Sequence, residues 1–197
     1  MTSASMIKLA DAPLADVLNR CSLSDEARAA IDGADAVPLT TERLVAHGFL
    51  IEAARVFAHA LPHREAVWWA CMCALHTAPP NLSDADRHAR EMAELWVRKQ
   101  SEELRRGAMA EAEKAGFQSP EAWAAVGAFW SGPSIAPANA IAVPPAPHLA
   151  GLAVAGAMAL SAVRRFPERQ EFRLTQFLAS ARDIAAGGSG RLTPEAA

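Results

Sequence analysis

The chain has no tyrosine, three cysteines and no basic block. An odd number of thiols, two of them one residue apart at Cys71 and Cys73, makes no disulfide framework. A reducing cytoplasm is therefore the expected compartment. At a net charge of −3 the chain lacks the clustered cationic face that a nucleic-acid backbone demands, so no nucleic-acid partner is expected. No apolar run reaches the roughly 20 residues of a membrane span. The longest uncharged one, Leu149–Val163, is cut off from behind by Pro144, Pro145 and Pro147. Residues Met1–Leu9 lack the charged start and apolar core of a secretory signal. No stretch alternates with period two for long enough to be a strand. The nucleophile elbow, the phosphate loop, the His-Glu-x-x-His zinc motif and the Rossmann glycine pattern are all missing. Neither a catalytic residue nor a cofactor is expected.

What is present reads as helix. A chain of 197 residues with 51% hydrophobic side chains makes one domain with a self-sufficient core. Its centre is expected at Pro62–His76, where Trp68, Trp69, Cys71, Met72, Cys73 and Leu75 leave no polar face; a helix apolar all round is buried all round. Caps and breakers place the others. Helices are expected at Ala12–Arg20 and Asp25–Ile31, and from Thr40 to Gly48. An amphipathic one covers Phe49–Leu61, with Glu52, Arg55 and His59 on its wet face. This segment is similar to part of a tetratricopeptide hairpin, but no second copy follows at the period of about 34 residues. Further helices are expected at Asp84–Lys99, Glu102–Ala115, Pro120–Trp130, His148–Phe166 and Pro167–Ala185. The predicted fold is thus all-α, a single compact domain of residues 1–186 with nine to ten helices around a central buried one. Residues 132–147 form a Pro-rich loop, and 187–197 a flexible glycine-rich tail.

Two groups of residues are candidates for binding. Arg64 and Glu65 stand at the head of the central helix, where Glu65 suits the first turn. Arg64 can clamp a loop carbonyl, pair with a core acid or face a ligand carboxylate. Trp123, Phe129 and Trp130 flank the Pro-rich loop that carries Ser134, and aromatic side chains beside a mobile segment often form a partner's pocket. Packing into the core is the ordinary role for the same rings. The spacing Cys71-x-Cys73-x-x-His76 offers a metal or thiol site. On a helix the two sulfurs point about 160° apart, so only Cys73 and His76 could share an ion, with a third ligand brought by the fold. Buried cysteine more ordinarily behaves as a small hydrophobe.

Residues Leu61-Pro62-x-Arg64-Glu65-Ala66-Val67-Trp68-Trp69-Ala70-Cys71, then Trp123-x5-Phe129-Trp130-Ser131-Gly132 and Pro147-His148-Leu149, resemble a bacterial family known only as a domain of unknown function. The resemblance covers residues 40–185, and its most specific string is Arg64–Cys71; His63 stands where the family is expected to carry lysine. It implies an all-helical fold, brings no catalytic residues or cofactor, and places members beside type VI secretion genes. The function expected is a non-enzymatic adaptor that holds a protein partner, such as a secretion spike, adaptor or effector.

Overall fold

The computed structural model describes residues 6–195. They form α1 (Leu14–Arg20), α2 (Asp25–Ala30), α3 (Val37–Ala46), α4 (Leu50–Ala60), α5 (His63–His76), α6 (Asp84–Lys99), α7 (Glu102–Lys114), α8 (Pro120–Trp130), α9 (Leu149–Val163) and α10 (Gln170–Ala185). A 3₁₀ turn, Pro167–Arg169, precedes α10, and there is no strand among the described residues. The fold is all-α, as the periodicity implies. Serine side chains at 24, 83, 101 and 119 cap α2, α6, α7 and α8 by accepting from the backbone amide three residues on.

The centre is three helices. α5 buries nine residues, including Trp69, Cys71 and Cys73, but α8 and α9 each bury nine as well. These three pack on one another, with α6 and α7 against the outer side of α8, and α4 and α10 against α9. α3 forms a hairpin with α4, and α1 also lies on α4. Small residues permit the close approach. A side chain at Gly127 of α8 would meet Val67 of α5 and Val154 of α9 at 3.5 and 3.4 Å. The alanine-rich α9 is consumed by this crossing; no single helix among the described residues is long and apolar enough to cross a membrane.

Three expectations are corrected. α3 begins at Val37 and not at Thr40, because Pro38 suits its first turn. Thr40 and Thr41 lie inside it, fully buried, and their hydroxyls donate back to the carbonyls of Ala36 and Pro38 at 3.0 Å each.

His59 is buried and does not share the wet face of α4. Its ring fills the space above Gly151, where a Cβ would overlap it. Burial, then the nearby Arg20, His148 and His63, lowers its pKa to about 4. An unfolded chain takes up this proton near pH 6.5, before the folded one does, so stability falls as the pH drops toward 4. The cost is about 3 kcal/mol once both limits are passed. Urea melts between about pH 7 and about pH 5 are expected to show this slope in the wild type and a flatter one in His59→Leu. An unchanged slope would assign the effect to another group.

Residues 187–195 are no flexible tail; 196 and 197 lie outside the described residues. The segment runs as a strap over α5 and α10. Trp68 Nε1 donates to Ser189 O at 2.7 Å, Ser180 Oγ to Gly190 O at 2.5 Å, and the Gly190 amide to Asp183 Oδ2 at 2.8 Å. His76 Nδ1 donates to Thr193 O, and the Glu195 amide to His76 O at 2.8 Å. The glycines serve tight geometry here: Gly187 and Gly190 have φ of +97° and +60°.

Candidate functional site

Two arginines fix the functional geometry, and neither is visible as a core residue from periodicity. Arg105 of α7 is 2% exposed. Its Nε and Nη2 fork the Glu102 carboxylate at 2.7 Å each, and this hydrogen-bonded fork holds the Glu102 pKa down to about 2. Nη1 donates to Phe129 O in the last turn of α8, and Nη2 also to Ser134 O at 2.7 Å. The cation therefore satisfies an orphan carbonyl at the negative end of a helix and pins the start of the Pro-rich loop. Gly132 is required beside it, since a Cβ there would overlap the Arg105 stem.

Arg173 of α10 repeats the arrangement at the end of α9. It is 1% exposed, forks Glu195 at 2.9 and 2.7 Å, and donates to Ala162 O and Arg164 O at 3.1 and 2.7 Å. A third buried charge, Glu121, sits in the first turn of α8 and accepts from Arg164 at 2.8 Å.

The aromatic candidates divide. Trp123 and Trp130, seven residues apart and so on one helix face, meet edge-on at 6.3 Å and are half-buried. Trp123 Nε1 donates to Phe117 O at 3.0 Å. Phe129 points elsewhere, buried under the Arg105 guanidinium at 4.6 Å. Ser134 is buried and organises the loop: its oxygen accepts from the amides of Ala136 and Val143 at 3.1 and 3.0 Å. The Ile135 amide adds a bond to Val143 O at 2.8 Å, closing a neck beneath residues 136–142. Outside this neck Ile141 is 91% exposed, Val143 48% and Ile135 38%.

Arg64 and Glu65 lie at the head of α5 with guanidinium and carboxylate 3.9 Å apart. Arg64 Nε donates to Val97 O at 2.9 Å, so it does clamp a carbonyl, yet its side chain stays half exposed. Both residues line a cleft of about 540 Å³ whose other wall is Ser131–Pro133. The fold thus brings Arg64 and Glu65 opposite the beginning of the Pro-rich loop.

Cys73 and His76 lack a third ligand. No three His, Cys, Asp or Glu side chains are grouped to hold a metal ion among the described residues. The His76 ring is turned to the strap and lies edge-on to Phe177 at 5.9 Å. Burial pushes the Cys21 thiol up to about 12 and raises those of Cys71 and Cys73 as well. All three are buried and free, so a disulfide reagent at about pH 8 is expected to modify them only as fast as the protein opens. Rapid reaction of even one native thiol would contradict this packing.

The family of unknown function DUF6931 matches residues 40–185. The chain belongs to this family. The matched region spans α4–α10 and most of α3, and so includes Arg64, Glu65, Arg105, Arg173 and the whole Pro-rich loop. No curated protein and no solved structure matches the chain.

Proposed function

We propose that this DUF6931 protein is a non-enzymatic cytoplasmic adaptor, and that the loop 131–147 is its contact with a protein partner. One observation carries the reading. Three aliphatic side chains, Ile135, Ile141 and Val143, are held in water by a hydrogen-bonded neck whose anchor, Arg105, is itself buried. Exposed aliphatic residues on a braced loop lose little conformational freedom on binding and bury apolar area at about 25 cal/mol per Å². The partner class, a type VI secretion component or its cargo, follows from the resemblance of the Arg64–Cys71 string.

Proteins encoded next to this one are the candidates for capture. The wild type is expected to co-purify with one of them. Ile141→Ser with Val143→Ser is expected to weaken capture at least tenfold, with the melting temperature little changed because Ile141 is almost wholly and Val143 about half in water. Full capture by that folded double variant would remove the loop from the interface.

A further inference from the structure

The strap creates a second surface at the α5 head, which shares Arg64 and Glu65 with the first cleft. A cleft of about 500 Å³ lies there between α5, the end of α6 and residues 188–191. Lys8, Arg64, Arg98 and Arg191 line it, and Glu65 is the single acid. The cleft therefore carries +3 in a chain of net −3. Trp68, Val97 and Ile184 supply apolar wall between the cations.

The cations come from four separate parts of the chain, each anchored through its backbone or a side-chain bond. The Lys8 amide donates to Ala185 O at 2.8 Å, and Arg64 is clamped on Val97 O. Arg98 leans on Glu94 at 3.6 Å, and Arg191 follows Gly190, which is bonded on both sides. Among the described residues the Lys8 and Arg191 side chains have no acceptor within hydrogen-bond or ion-pair reach. Glu65 and Glu94 partly offset Arg64 and Arg98, but folding has gathered four cations here and left Lys8 and Arg191 without a partner among the described residues, a cost in self-repulsion that a bound anion would relieve.

We propose that this cleft binds an acidic peptide segment of a protein partner. Its carboxylates meet Lys8, Arg64 and Arg191, and an apolar side chain lies on Trp68. A peptide is favoured because the cations are spread around an apolar wall, with room for several residues. A docking face for an anionic bilayer would instead be opposed by the acidic remainder of the chain. The proposal rests on the adaptor reading only in taking the partner to be a protein; the site itself stands on the charge distribution.

The test is a tryptophan-fluorescence titration of the full chain with acetyl-Glu-Asp-Leu-Glu-Asp-Glu-amide, against the same peptide with every acid changed to its amide. The acidic peptide is expected to change the emission, and the change to disappear in Trp68→Phe. Lys8→Glu with Arg191→Glu is expected to weaken binding at least tenfold without shifting the melting temperature, and raising the salt from about 0.05 to about 0.5 M to weaken it several-fold. Equal binding of the amide peptide, unchanged binding by the double variant, or no binding would overturn the proposal. So would saturation by inorganic phosphate alone, which would make this a small-anion site, or binding of phosphatidylserine vesicles in place of the peptide. Because the peptide replaces the natural partner, a negative result sinks the cleft and leaves capture through the 131–147 loop standing; lost capture by the loop variant does the reverse.

Discussion

Arg173→Met is expected to destabilise the protein by about 3–5 kcal/mol, the range for breaking a buried ion pair from one side. For a chain of this length that is roughly 6–20 °C in melting temperature. The guanidinium is 1% exposed and serves two helix-end carbonyls and both oxygens of Glu195. Methionine fills much of the volume but donates nothing, which leaves the Ala162 carbonyl without this donor, the Arg164 carbonyl with only the Phe166 amide, and the Glu195 carboxylate with only Arg169 and His76 at 3.7 and 3.8 Å. The Arg173 fork also holds the Glu195 carboxyl below its usual range. Its contribution is therefore present above the ordinary carboxylate pKa and is lost as the pH falls through the lowered one.

The loss has a local signature as well. With the latch gone, residues 189–195 should exchange their amides faster, and trypsin should cut after Arg191 in the variant before it cuts the wild type. Arg173→Met with Glu195→Met should recover part of the stability, since no uncompensated charge remains. A melting temperature within about 2 °C of wild type in the single variant would mean that the strap is held by its backbone bonds alone.

Arg105→Met is expected to cost about 3 kcal/mol, since two carbonyls lose their donor while Glu102 stays half exposed beside Arg106, and to weaken partner capture too. It leaves the carbonyls of Phe129 and Ser134 unpaired and frees the root of the loop. Arg105→Lys separates charge from shape: lysine keeps the cation but cannot fork Glu102 while reaching both carbonyls, so an intermediate loss is expected. Denaturant midpoints measure the stability. Amide exchange at Ala136 and Val143, which donate to Ser134, measures the neck. If the lysine variant matched wild type in both, the planar fork would not be what anchors the loop.

Much of the helical framework was legible because its signals are local. Serine caps, glycine stops and proline pairs act within one turn, and they place α6, α7 and α8 to within a residue. α3 starts three residues before Thr40: Thr40 and Thr41 resemble caps in sequence, while their hydroxyls bond backward inside the helix. The binding candidates were legible only in part. Arg64, Glu65 and the loop could be named, but Ser134 turned out to be the fastening of the loop, and Phe129 a seat for Arg105. Spacing at i,i+4 pairs Arg90 with Glu94, but only packing buries the pair, with both side chains under 15% exposed.

By itself, the order of residues determined that the chain is helical, where most helices start and stop, and that α5 goes into the core. Each follows from propensity and periodicity over a few turns. Only the tertiary structure decided that α8 and α9 share the centre with α5, that Arg105, Arg173 and Glu121 are buried, that His59 faces Gly151, and that residues 189–195 bind back across the domain. For the buried arginines, Glu121 and the strap the physical reason is the same. A polar side chain goes inside when partners from distant parts of the chain satisfy it, and Arg173 meets Glu195 and Ala162 only after α9, α10 and the strap have packed.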